Sequence, residues 1–233
     1  MKIIILPGLD GTGRLLSDFA KALSPGHDVE VVTYPDSLFS YDDLEVWLKA
    51  RLPSEPFVII AESFSGPLAL SISANRPRNL AAVVFVATFA RSPRRLPSIL
   101  LSPFGAFPIP AAFLAHASLP FVVGRFHMPG FKELLYRSVL QDVPLRTLIL
   151  RLKSVLSMDR RNIIPQIKVP CCYLQATADR LVPASAFRDF EDICGSPIRI
   201  EAPHFLLQMK PEEAARPVRD FIAGLGVTAQ PTL

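Results

Sequence analysis

The chain has 233 residues, 50 % of them hydrophobic and 20 % charged, with 23 prolines, 11 glycines, three cysteines and a net charge of +4. That length and apolar share suit one globular domain with a sizeable core, or a compact domain carrying an insertion, and they exclude a disordered chain. Three cysteines exclude a disulfide scaffold. The odd count, with Cys171 and Cys172 adjacent, favours a reducing, cytoplasmic setting. No basic stretch followed by an apolar run and a cleavage site is visible, so no signal peptide is expected.

Lys2–Leu6 is a short apolar run rich in β-branched residues and ended by Pro7 and Gly8. This is the pattern of a strand buried on both faces of a parallel sheet. A Gly-rich loop and a helical pattern over residues 14–23 follow. Residues 29–33 read as a second strand. Residues 41–52 read as a helix with Leu44, Trp47 and Leu48 on one face, and Asp42 and Asp43 in its first turn, where the helix dipole favours acid. A third strand, 57–61, runs straight to Ser63 and a helical pattern over 64–75, which Arg76-Pro77 ends. Strands at 82–87, 169–176 and 198–201 and helices at 184–193 and 212–223 complete the series. Strand and helix alternate, so an α/β fold is expected: a mostly parallel sheet of about six strands, flanking helices and right-handed crossovers.

The alternation stops over residues 89–166. These are expected to form a helical insertion, with residues 1–88 and 167–233 as the core. Seven of the prolines fall in residues 91–129, and residues 96–124 contain no Lys, Arg, Asp or Glu. An uncharged stretch of that length raises the question of a membrane span. Pro97, Pro103, Pro108, Pro110 and Pro120 argue against one, because each removes a backbone donor and disturbs helix geometry. A buried or lid-like apolar segment is expected instead, and no transmembrane segment. Helical patterns at 131–141, with Phe131, Leu134, Leu135 and Val139 on one face, and at 145–158 close the insertion.

Charge is uneven along the chain. Residues 91–168 hold twelve basic and three acidic residues, a net of +9, and the remainder carries −5. The basic segment suits an anionic surface, an acidic protein or a negatively charged substrate, or it is a solvated helix face. No basic run interleaved with aromatic residues is present, so nucleic acid is not an expected partner.

Four segments carry chemistry. In Ala61-Glu-Ser-Phe-Ser-Gly66 a buried strand meets a helix at Ser63. A serine at such a sharp turn presents its hydroxyl at the carboxyl end of the sheet, with the next amide pointing into the same space. Small residues are needed two before and two after it, and here they are Ala61 and Ser65 in place of glycines. Alone, the segment fits a nucleophile and an ordinary strand-to-helix serine equally. The loop Leu6-Pro-Gly-Leu-Asp-Gly-Thr-Gly13 lacks the G-x-G-x-x-G spacing and any Gly-Lys-Ser/Thr that would mark a phosphate cradle. It also fits an oxyanion-hole loop, with the amides of Leu9 and Phe64 as donors. Asp179 follows a strand, as a histidine-orienting carboxylate would, or as a turn or helix-capping aspartate. His204 lies in the loop after the last strand, whereas His27, His116 and His127 lack that context. No metal-ligand spacing is visible, and no metal or cofactor is expected.

Taken together, these segments run in the order oxyanion loop, Ser63, Asp179, His204. Each follows an expected strand, so all should converge at one edge of the sheet, where open α/β sheets place ligands. The order Ser…Asp…His is that of α/β-hydrolases. Over residues 2–224 the chain resembles a small α/β-hydrolase, starting from what the family counts as its third strand. Within that family it resembles the bacterial carboxylesterases of the pimeloyl-carrier-protein methyl ester type. Its Leu-Pro-Gly-Leu-Asp-Gly-Thr-Gly loop is similar to that of the plant-type phytyl ester synthases. The resemblance implies a serine esterase acting through an acyl-enzyme on Ser63, with acyl transfer, thioester cleavage or non-catalytic binding as alternatives. It also implies a small-molecule acyl ester as substrate and a cap over Ser63. Phe104, Phe107, Phe113, Phe121 and Phe126 are expected either to line an apolar pocket there or to pack against the core. Arg125, Arg137, Arg146 and Arg151 are expected to face outward, where an acidic acyl-carrier protein or an anionic membrane would dock. Glu62 is expected to support the serine turn through hydrogen bonds, and Cys171 and Cys172 to be structural.

Overall fold

The computed structural model describes residues 1–93 and 130–228. Six strands form one all-parallel sheet in the order β2-β1-β3-β4-β5-β6. They are β1 (Lys2–Leu6), β2 (Asp28–Val31), β3 (Phe57–Glu62), β4 (Leu80–Val86), β5 (Cys171–Ala176) and β6 (Ile198–Ile200). The central strands are buried on both faces because their side chains alternate between two cores. Ile4, Leu6, Ile59, Phe85 and Tyr173 point to one side, against α2 (Tyr41–Lys49) and α3 (Gly66–Ala74). Ile3, Ile5, Ile60, Val84 and Leu174 point to the other. There α1 (Ser17–Leu23) and the long C-terminal helix (Pro211–Thr228) cover them. This two-sided cover explains the continuous apolar runs of the sequence. It also explains Cys171 and Cys172, which are buried on opposite faces, so that both face a core.

The helix expected over 184–193 is a 3-10 helix, Ala184–Phe190, followed by one short α-turn. Its Phe187 and Phe190 pack on Tyr173. Packing of these rings, not the i→i−4 ladder, fixes that segment.

The described part of the insertion contains α4 (Phe131–Tyr136), continued by a π-turn (Arg137–Gln141), and α5 (Leu145–Ser157). A 3-10 helix, Arg161–Gln166, leads back to β5. The two ends of the insertion are tied together: Arg91 pairs with Asp159 in an antiparallel bridge. Beside it Ser92 N donates to Met158 O at 3.0 Å and Arg160 N to Ala90 O at 2.7 Å. Such a stem lets the chain leave and rejoin the sheet between β4 and β5 without disturbing their parallel pairing.

Two expectations about the insertion change. Leu134 is exposed, while Phe131 and Leu135 are buried, so the apolar face of α4 is narrower than the sequence suggests. Arg151 is fully buried and cannot form part of an outer docking face, whereas Arg137 and Arg146 are exposed. The five phenylalanines proposed as pocket lining, Phe104, Phe107, Phe113, Phe121 and Phe126, lie outside the described residues, as do Arg125, His116 and His127. Among the described residues no helix is long and apolar enough to cross a membrane.

Candidate active site

β3 ends at Glu62 and the backbone turns at Ser63 with φ of 47°. This left-handed conformation costs an L-residue roughly 1–2 kcal/mol. Neighbours from four separate segments of the chain hold it. Thr88 Oγ1 donates to the Ser63 carbonyl. Tyr41 Oη donates to the Phe64 carbonyl at 3.0 Å, and its ring stacks on Phe64 at 4.9 Å. Ser65 Oγ donates to the carbonyl of Pro7 and lies 2.7 Å from Tyr34 Oη. Thr88 is itself fixed, its amide donating to Tyr173 Oη at 3.1 Å and its carbonyl accepting from the same hydroxyl at 2.6 Å.

Ala61 and Ser65 stand where glycines were the usual choice, and both are fully buried. Ser65 is more than a tolerated substitute, because its hydroxyl ties the serine turn to the loop after β1. Close approach to another element falls instead on Gly66. A Cβ there would run into Thr88 Oγ1 and lie 2.7 Å from Thr88 Cγ2 and 2.8 Å from Thr88 Cβ.

Ser63 Oγ lies 2.8 Å from His204 Nε2, and His204 Nδ1 lies 2.8 Å from Asp179 Oδ2. Asp179 combines both roles that its position suggested. Its Oδ1 accepts from the amides of Leu181 (2.8 Å) and Val182 (2.9 Å), while Oδ2 faces the histidine. An ionised carboxylate only accepts hydrogen bonds, so the proton between these residues sits on Nδ1. Nε2 is then left to accept from the Ser63 hydroxyl. His204 is buried, which disfavours its charged form. The Asp179 carboxylate, through charge and hydrogen bond, and Glu62 outweigh this, and the imidazole pKa is raised above 6.5.

The loop that carries Leu9 lies beside Ser63 because β1 and β3 are neighbours, with Leu6 opposite Ala61. Glu62 joins three parts of the site. It is buried, accepts from Gln208 Nε2 at 2.7 Å and from the Gly8 amide, and feels the charge of His204. Burial dominates and pushes its pKa up from 4.5 to about 7. Sequence reasoning assigned Glu62 a supporting place, but gave no sign of Gln208, Tyr34, Thr88 or Tyr173. Each of these acts across a long sequence separation. Phe205, next to His204, meets Phe131 of α4 edge-on at 5.2 Å. With Leu15, Leu135 and Met209 the two rings form a small apolar cluster. Among the described residues no group of His, Cys, Asp or Glu is arranged to hold a metal ion.

No family model and no curated protein matches the sequence. Solved structures match the fold. An enol-lactonase from Burkholderia xenovorans superposes with a TM-score of 0.76 at 18 % identity, covering 95 % of this chain and 91 % of that one. A lipase-esterase related protein from Clostridium acetobutylicum gives 0.78 at 14 %, with 94 % and 93 % covered. A hydrolase from Oleispira antarctica gives 0.78 at 16 %, with 95 % and 90 % covered. The described residues therefore have the α/β-hydrolase fold.

Proposed function

We propose that the protein is a serine hydrolase of carboxylic esters. The observation that carries this reading is the continuous chain Asp179–His204–Ser63, with 2.8 Å at each link and the serine on a strained turn at the sheet edge. His204 Nε2 takes the hydroxyl proton as Ser63 Oγ attacks the ester carbonyl. Asp179 holds the imidazole in the right tautomer and stabilises the imidazolium. The amides of Leu9 and Phe64 receive the oxyanion, the alcohol leaves with the proton from His204, and water then cleaves the acyl-enzyme. Several similar folds carry hydrolase names, an enol-lactonase and a lipase-esterase related protein among them, which supports the class without choosing the substrate.

The insertion, residues 89–166, is the proposed cap. The Arg91–Asp159 stem and the packing of Phe131 on Phe205, beside His204, support this reading. Within this reading the substrate is an acyl ester of the carrier-linked methyl ester type. Exposed Arg137 and Arg146 are the described residues to which an acidic carrier protein would dock.

The deciding experiment is labelling by a fluorophosphonate together with a panel of esters of varied acyl length, alcohol and carrier, for wild type and Ser63→Ala. Labelling and turnover in the wild type, both lost in Ser63→Ala, are expected. An unlabelled wild type identifies a binding protein that keeps the fold. Transfer to added alcohol, or preferred cleavage of thioesters, identifies the acyltransferase or thioesterase alternative.

A further inference from the structure

Arg151 is a buried cation that, among the described residues, bonds to no carboxylate. It projects from α5 of the insertion, and its guanidinium donates to four backbone carbonyls. Nη1 reaches Leu9 O at 3.2 Å and Asp10 O at 2.6 Å, Nη2 reaches Pro35 O at 3.1 Å, and Nε reaches Leu38 O at 3.2 Å. Two of these carbonyls lie in the loop after β1, and two in the loop after β2. Desolvating a guanidinium is costly, and a well-packed apolar side chain commonly serves stability as well or better. A planar fork of donors is needed where several carbonyls must be held in fixed directions at once.

The directions matter because the turn that holds these carbonyls also carries the Leu9 amide. Gly8 O accepts from Gly11 N at 3.1 Å, closing a turn over residues 8–11, whose two central carbonyls, Leu9 and Asp10, are those held by Arg151. Gly11 O accepts from Tyr34 N at 2.8 Å, and Thr12 O from Thr33 Oγ1 at 3.0 Å. Every carbonyl from Gly8 to Thr12 is thus engaged. In a trans peptide the N–H points opposite the C=O. The Asp10 carbonyl, held by Arg151, therefore sets the direction of the Gly11 amide, which donates to Gly8 O, and the Gly8 carbonyl shares its peptide with the Leu9 amide, so Arg151 reaches that amide through the turn. Gly11 has φ of 74°, and a Cβ there would sit 2.9 Å from Arg151 Cζ, so the loop backbone and the guanidinium are in direct contact.

We propose that Arg151 is a positioning residue for the oxyanion loop, through which the insertion orients the Leu9 amide for transition-state stabilisation. The inference rests on the serine-hydrolase reading. It makes α5 part of the catalytic machinery and not only a cover.

The test compares Arg151→Met and Arg151→Lys with wild type and Ser63→Ala. It measures kcat and KM on a small neutral ester, the affinity for a boronic acid transition-state analogue, and thermal unfolding. Losing one oxyanion donor typically lowers kcat about 100- to 1,000-fold. A donor left in place but loosely aimed is expected to give a fall of roughly 10- to 100-fold in Arg151→Met. KM should stay within about threefold, and boronate affinity should fall by the same factor as kcat. Arg151→Lys keeps the charge but not the fork, and should recover only part of the loss. A folded Arg151→Met or Arg151→Lys with wild-type kcat and boronate affinity overturns the inference. So does failure of both variants to fold, which would assign Arg151 to stability alone. Turnover that survives Ser63→Ala overturns the hydrolase reading instead, and is read independently of the Arg151 variants.

Discussion

Asp179→Asn isolates the tautomer of His204, because the two carboxylate oxygens have different partners. The position of Oδ1 is occupied by two donors, the amides of Leu181 and Val182. In the variant, the amide oxygen takes that position, because an NH2 group there would face two N–H groups and forfeit both bonds. Leaving a buried donor unsatisfied costs about 1–3 kcal/mol, so the reversed orientation is suppressed. The NH2 group of the variant then faces His204 Nδ1 and donates to it. The imidazole proton moves to Nε2, which meets Ser63 as a donor and cannot take its proton. In a serine protease with the same constellation this change lowers kcat about 10⁴-fold. That corresponds to about 5.4 kcal/mol of barrier at 1.36 kcal/mol per tenfold. The same loss is expected here, with little change in KM or in unfolding temperature, since both backbone amides keep their acceptor. The assay is steady-state hydrolysis near pH 8, with ¹⁵N NMR of the imidazole reporting which nitrogen is protonated. A variant within tenfold of wild-type kcat, or one whose proton remains on Nδ1, would refute the reasoning.

Three further outcomes follow from the same geometry. A histidine acts as a base only when neutral and the His204 pKa is raised, so under the proposed mechanism kcat/KM should fall on the acid side with a midpoint above 6.5. Removing the nearby carboxyl in Glu62→Gln should move that midpoint downward, and a midpoint unchanged or moved upward would count against the coupling. Glu62 also links stability to pH, because its folded pKa of about 7 lies above the ordinary 4.5. Its contribution is full below about 4.5 and is lost as pH rises through about 7. Wild type should therefore lose up to about 3 kcal/mol relative to Glu62→Gln between pH 4.5 and 8, measurable by denaturant titration at both pH values. Gly66→Ala drives a methyl into Thr88, and overpacking of this kind costs about 1–3 kcal/mol. Thermal unfolding should drop by several degrees, and Thr88→Ser, which removes Cγ2 but keeps Oγ1 against the added methyl, should recover little of the loss.

Much of the fold was legible because each element carries its own local period. Continuous apolar runs marked β1, β3, β4 and β5, and a parallel sheet brings the carboxyl ends of its strands to one edge. Ser63, Asp179 and His204 therefore met where their strand-end positions implied. The 3-10 character of residues 184–190 was not legible, because Phe187 and Phe190 are placed by Tyr173 rather than by helical hydrogen bonding. The serine turn carries Ala61 and Ser65 where glycines are usual. Its tolerance of Ser65 depends on Tyr34 and Pro7, 31 and 58 residues away.

Arg151 shows the limit most clearly. In a basic helical segment an arginine reads as a solvated or docking side chain, since charge is rarely buried without a partner. Here the partners are four carbonyls, two of them 142 and 141 residues away, and backbone carbonyls leave no trace in the side-chain pattern. The sequence by itself therefore determined the alternation of strands and helices, its interruption between β4 and β5, and the strand-end location of the three polar residues. Those features follow from local hydrophobic period and from the geometry common to parallel sheets. Only the tertiary structure decided which small residue of the serine turn must be glycine, how the two oxygens of Asp179 divide their work, and that a cation of the insertion holds the loop of Leu9. Each of these depends on contacts between segments far apart in the chain, and no local pattern encodes them.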